Sequence, residues 1–182
     1  MVGAAAAAGG AYAAYDPERA APARSKTLDR KVFNFALLLE YLQAAFYAEA
    51  VNHGSLRGEV REFAETVAGH EREHVAYLRR VLGADARPRP RFHFRDATRT
   101  SPAFVRTAVE LENLGVAAYN GQAANLTKAA LVPAMEIVSV EGRHAAWIND
   151  LAGRSPAPRA ADPGEDAAKV AAAIRATGFL TR

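Results

Sequence analysis

The chain has no cysteine. That absence removes disulfides, thiolate metal sites and rubredoxin-type iron centres, and it leaves the redox compartment open. No run reaches the roughly 18 apolar residues expected of a membrane-spanning helix. β-branched runs with a period of two are scarce, which argues against half-buried strands. No large excess of one charge is present either: the formal net charge is +3 and the pI is near 9.4. Arginines are spread along the chain without the aromatic interleaving of a nucleic-acid surface, so nucleic-acid binding is not expected. What is abundant is Ala, Leu, Glu and Arg, the better helix formers, in a chain that is half hydrophobic. Its 182 residues suit one domain with a sizeable core. The expected class is all-α.

Turn and cap signals divide the chain into four long helices. Residues 1–26 read as a tail and linker. Met1 to Ala14 is almost entirely Ala, Gly and Val, and Ala11-Tyr12-Ala13 fits a small-x-small cleavage site. A charged leader start is missing. Export to the periplasm or cell surface is the expectation, with the cytoplasm as the alternative. The spacing predicts a first helix over about Leu28 to Asn52, capped by Ser25 or Thr27 and stopped by Gly54, and a second over about Leu56 to Leu82, ended by Gly83. The short turn between them makes the two antiparallel. Ala84 to Thr100 carries Pro88, Pro90 and Arg87, Arg89, Arg91, Arg95 and Arg99, and reads as one long loop. Extended at about 3.3 Å per residue, it can span roughly 55 Å, more than the about 38 Å of a 25-residue helix. It can therefore cross the full height of a bundle. Ser101-Pro102 opens a third helix to about Gln122, and a fourth runs from about Thr127 to Leu151. These helices make residues 27–153 the bundle, and 154–182 an extension with a short helix around Glu165 to Ala176.

Two halves of the chain repeat one pattern. Glu40, Tyr47, Glu71 and His74 are followed by Glu112, Tyr119, Glu141 and His144 in the same order. The offset is 72 for the first two residues (112 − 40 and 119 − 47) and 70 for the last two (141 − 71 and 144 − 74). On a helix, residues seven apart lie about 20° from alignment and residues three apart about 60°. Each pair therefore shares a face. Glu40 sits inside Ala36-Leu37-Leu38-Leu39 and Tyr41-Leu42, and Glu141 follows Ile137-Val138-Ser139-Val140. Carboxylates facing a dry core are costly unless paired, protonated or bound to metal. Two divalent cations would offset four such carboxylates, and two imidazoles complete the donor set. Mixed carboxylate and imidazole ligands suit iron or manganese better than zinc or calcium.

Over about Leu28 to Leu151 the chain resembles the ferritin-like superfamily, in which two helices each give one Glu and two each give E-x-x-H. It is most similar to bacterial ferritin-like domain proteins related to desiccation-related proteins. The segments that carry this are Asn34 to Leu42, His70-Glu71-Arg72-Glu73-His74-Val75 and Glu141-Gly142-Arg143-His144-Ala145-Ala146-Trp147. The resemblance implies a four-helix bundle with a long crossover between the second and third helices. It implies Glu40 and Glu112 as terminal ligands, Glu71 and Glu141 as bridging ligands, and His74 and His144 as one imidazole per metal. Tyr47 and Tyr119 would orient carboxylates. Two iron ions are the implied cofactor, with manganese as the alternative. Dioxygen or peroxide is the implied partner, and a homodimer is one assembly open to the chain. The implied function is redox handling of iron, dioxygen or peroxide. The alternative is a non-catalytic desiccation or stress-protection bundle.

His70 to His74 also spells H-E-x-x-H, the helix motif of zinc proteases. That reading needs His93 or Glu112 as third ligand and leaves the second repeat without a purpose. In the two-metal reading His70 is rotated about 100° from Glu71 and lies outside the ligand set, as a supporting or surface group. Glu110 lies about 160° from Glu112 and breaks the repeat. Glu49, Glu62, Glu65, Glu73 and Glu136 are expected on solvated faces. Tyr41 and Trp147 are expected in a core or an interface.

Overall fold

Hydroxyl side chains close the first turns of three of the four long helices. In the computed structural model, which describes residues 23–181, Ser25 Oγ accepts from Leu28 N at 3.2 Å and opens α1 (Lys26–His53). Gly54 at φ 66° stops it, in a left-handed conformation that favours glycine. Helix α2 (Gly58–Leu82) follows after a short turn. Thr100 caps α3 (Ser101–Ala123) and Thr127 caps α4 (Lys128–Leu151). Ser101, expected as the cap of the third helix, is its first helical residue, because the preceding threonine has the extended backbone a cap needs. Helix α5 (Ala167–Thr177) starts at Asp166. The leader-like residues 1–14 lie outside the described residues, as does most of the linker. Among the described residues no helix is long and apolar enough to cross a membrane.

The four long helices form an all-α bundle in which α1 pairs with α2 and α3 with α4, and narrower α1–α3 and α2–α4 contacts close it. Glu40 meets Tyr119 and Tyr47 meets Glu112, so α1 and α3 run antiparallel. Because α2 also runs antiparallel to α1, α3 is parallel to α2. The α2–α3 connection therefore traverses the bundle's height.

That connection is not the structureless loop expected from its composition. It begins with a 3-10 turn at Gly83–Asp85. It then forms β1 (Arg91–Phe92), which pairs antiparallel with β2 (Leu180–Thr181) from the C-terminal extension. Two-residue strands are too short for any periodicity to announce them. Phe94, buried beneath the pairing, meets Phe179 edge-on at 5.2 Å. Fully buried Thr98 donates to Glu49 Oε1 at 2.7 Å, which pins the crossover to α1. Glu49 was expected on a solvated face; burying a hydroxyl requires such an acceptor.

Two apolar clusters lie at different heights of the bundle. One is aromatic: Phe46 and Phe104 stack with planes 4° apart, and Tyr47 and Phe63 pack edge-on around them. The other gathers Val32, Phe33, Leu37, Leu78, Leu126 and Ile137. Buried Asp29 ties the helix starts together, accepting from Thr127 N at 2.9 Å and Thr127 Oγ1 at 2.7 Å.

The C-terminal extension docks on α3 through a backbone crossing that only glycine permits. A Cβ at Gly121 would lie 1.9 Å from Glu165 O, and one at Gly164 would lie 2.7 Å from Gly121 Cα. The approach lets Glu165 N donate to Ala117 O at 2.8 Å. Gly121→Ala is accordingly expected to detach this segment from α3. Limited proteolysis should then cut around residues 160–166 faster in the variant, with a lowered Tm; equal cleavage would count against the crossing.

Candidate metal centre

Glu40 on α1, Glu71 and His74 on α2, Glu112 on α3, and Glu141 and His144 on α4 are all buried. The helical period that puts each pair on one face also turns all four faces inward. The six side chains form two overlapping groups, Glu40–Glu71–His74–Glu141 and Glu71–Glu112–Glu141–His144. Within each group one donor atom per residue lies within 4.8 Å of the others. His74 Nδ1 is 3.3 Å from Glu40 Oε2, 3.5 Å from Glu71 Oε2 and 3.3 Å from Glu141 Oε1. His144 Nδ1 is 3.3 Å from Glu71 Oε1, 3.3 Å from Glu112 Oε2 and 3.6 Å from Glu141 Oε1. Glu71 and Glu141 are thus shared, whereas Glu40 meets one imidazole and Glu112 the other.

Tyrosines from opposite helices hold the two unshared carboxylates. Tyr47 donates to Glu112 Oε1 at 2.5 Å and Tyr119 donates to Glu40 Oε1 at 2.6 Å. Burial and the adjacent carboxylates push both phenols well above their ordinary value, so they stay protonated and donate. Gln43 Nε2 adds a second donor to Glu112 Oε1 at 2.9 Å. The outer oxygens of Glu40 and Glu112 are satisfied. The inner atoms are not: Glu71 Oε1 and Oε2, Glu112 Oε2, Glu141 Oε1 and Oε2, and His144 Nδ1 are buried with no hydrogen-bond partner.

Those orphaned atoms test whether the residues fit a metal. A buried polar atom left unpaired costs about 1–3 kcal/mol, more when charged. Six of them would consume much of the about 5–15 kcal/mol by which a domain is stable. Donors about 2.1 Å from one cation lie roughly 3.0 Å apart at a right angle and about 3.4 Å apart at a tetrahedral angle. The 3.3–3.6 Å separations between imidazole nitrogens and carboxylate oxygens match the spacing of donors around one cation. The donor set fits two divalent cations.

Residues 28–154 match the family model of the ferritin-like domain. The chain belongs to the ferritin-like domain family. No curated protein matches it. The ferritin-like bundle brings together all six acidic and imidazole residues singled out by the repeat, together with both tyrosines. His70 belongs to neither donor group, but it touches one member: His70 Nδ1 is 2.8 Å from His144 Nε2 and the rings stack at 5.1 Å. The zinc-protease motif would instead need His70 and His74 turned toward one ion. Glu136, expected in solvent, accepts from Tyr77 at the surface. Buried Tyr41 donates to Arg87 O at 3.3 Å. Trp147 Nε1 donates to Glu59 at 3.2 Å.

Two features of this ferritin-like site escaped the sequence reading. Gln43 follows Glu40 by three residues and precedes Tyr47 by four, so it lies on the same helical stripe; that spacing was the available signal. Gly115 packs against the centre, where a Cβ would lie 2.7 Å from Glu141 Oε2. Nothing local marks it, because the crowding comes from another helix. Gly115→Ala should keep or raise helix stability, by up to about 1 kcal/mol, while displacing the Glu141 carboxylate. Unchanged circular dichroism with weakened Mn(II) binding is the expected result; unchanged binding would count against a close fit.

Without a cation, protons are left to offset the charge. Burial alone would lower His74, but the carboxylates of Glu141, Glu40 and Glu71 outweigh it and raise the imidazole to about 12. Burial likewise opposes the rise of His144, which Glu112, Glu141 and Glu71 carry to about 11. Burial and the charges of Glu141 and Glu40 hold Glu71 well above the usual carboxylate range, and burial raises Glu112. Glu141, despite burial, is driven down to about 2 by the two imidazoliums.

An imidazole raised on folding contributes its full stability below its unfolded value of about 6.5, and loses it progressively as pH climbs from there to the folded value. Raised carboxyls act in the same direction from lower pH. Metal-free protein should therefore lose thermal stability between pH 6.5 and pH 10. Protein saturated with Mn(II), whose imidazoles have already released their protons, should not. Thermal melts at both pH values, with and without the ion, check the sign.

Proposed function

We propose that this ferritin-like chain holds two metal ions, iron with manganese as the alternative, and uses them in redox handling of iron, dioxygen or peroxide. The single observation that carries the reading is the pair of donor groups sharing Glu71 and Glu141, with six of their inner atoms buried and unpartnered. In this reading Glu40 with His74 bounds one position and Glu112 with His144 the other, while Glu71 and Glu141 span both. Bound iron or manganese would supply one-electron chemistry and an open position for an oxidant.

The chain's own residues do the rest. Tyr47, Tyr119 and Gln43 fix the rotation of the unshared carboxylates, so the donors are aligned before any ion arrives. Phe46, Phe63 and Phe104 exclude water from one side of the layer, which strengthens every charge interaction inside it. The absent side chain at Gly115 admits the Glu141 carboxylate to its place in the donor set. A cavity of about 360 Å³ between α2 and α4, lined by Thr66, His70, His74 and His144 among others, reaches the outer edges of both imidazoles from solvent.

Glu71→Ala removes a carboxylate common to both positions. Metal analysis should find about two ions per wild-type chain and at most one per variant, with Fe(II) oxidation slowed at least about tenfold. Equal oxidation rates would favour a bundle without turnover. Wild-type protein that takes up neither iron nor manganese would overturn the reading.

A further inference from the structure

The internal duplication is broken at two positions that touch the donor set. The 70-residue offset carries His70 to Val140, and the 72-residue offset carries Gln43 to Gly115. His70 Nδ1 lies 2.8 Å from His144 Nε2. Val140 takes the corresponding place on α4 and lines the same cavity as His74, but its side chain has no atom that accepts a hydrogen bond. Gln43 donates to Glu112 Oε1 at 2.9 Å, whereas Gly115 has no side chain to offer Glu40. Both differences fall on one side: His144 and Glu112 each gain a partner that His74 and Glu40 lack.

A histidine that gives an ion its Nδ1 lone pair carries its remaining proton on Nε2. A group accepting that proton fixes the tautomer and the ring rotation and strengthens the donor atom. For His144 that group is His70. Gln43 acts similarly on Glu112: with Tyr47 already on the same oxygen, it leaves Oε2 as the atom facing inward.

We infer that the two cation positions are inequivalent, the one bounded by Glu112 and His144 filling first and more tightly because His70 and Gln43 position its ligands, and that His70 is a positioning residue outside the ligand set. The inference rests on the di-metal reading above. Loss of such an outer partner weakens metal binding by about 10–100-fold. His70 is exposed and water can partly replace it, so the low end, about tenfold, is expected.

The test is a Co(II) titration of the metal-free full chain, followed by calorimetry and visible absorption. Wild type should bind two ions in separate steps. His70→Val should weaken the tighter step about tenfold and bring the two together. His70→Gln, whose amide oxygen accepts a hydrogen bond, should recover part of the gap. Val140→His should tighten the weaker step by supplying the partner His74 lacks. Two equal steps in wild type overturn the inference and leave the di-metal reading standing. So does a His70→Val protein in which both steps move alike or neither moves, or a Val140→His protein with an unchanged weaker step. No Co(II) uptake by wild type overturns the di-metal reading and this inference with it.

Discussion

The mutual repulsion of four buried carboxylates governs this molecule. At an effective dielectric near 20, two unit charges about 4 Å apart repel by about 4 kcal/mol. Glu40, Glu71, Glu112 and Glu141 form several such pairs in one layer, enough to rival the whole stability of a domain. The layer persists only if positive charge enters it. Protonated His74 and His144 supply two such charges when no metal is bound, and two divalent cations would balance all four. The upward shifts of both imidazoles and the downward shift of Glu141 express that demand.

The remaining fold serves to hold that layer where water cannot screen it. Apolar clusters border it, one dominated by stacked and edge-on aromatic rings and the other by aliphatic side chains. The crossover is held at two places: by the two-residue ladder and the adjoining Phe94–Phe179 contact with the C-terminal extension, and by the Thr98–Glu49 hydrogen bond with α1. The extension depends in turn on the glycine crossing at Gly121 and Gly164. A connection that spans the bundle makes α3 parallel to α2, and this orientation lets Tyr119 reach Glu40 while Tyr47 reaches Glu112.

The parts of this arrangement legible in the sequence are those that helix geometry projects onto one face. Glu40 and Tyr47, or Glu71 and His74, fall on a common stripe whatever surrounds them, and the repetition of both pairs made chance an unattractive explanation. The same rule covers Gln43, but an amide side chain carries no metal chemistry that would single it out. The β1–β2 ladder was illegible for a different reason: two residues contain no period. The pairings of Asp29 with Thr127, and of Glu49 with Thr98, join residues distant in the chain whose local surroundings resemble ordinary helix ends and faces.

Sequence alone determined the helical class, the six acidic and imidazole residues and their approximate two-fold repetition, because composition, spacing along one helix and the offset between the halves are all properties of the chain before it folds. Tertiary structure decided which oxygens face inward, and that His70 meets His144 while Val140 leaves His74 without a counterpart. Those facts depend on the relative height and rotation of neighbouring helices. Packing between elements sets both, and no local pattern encodes them.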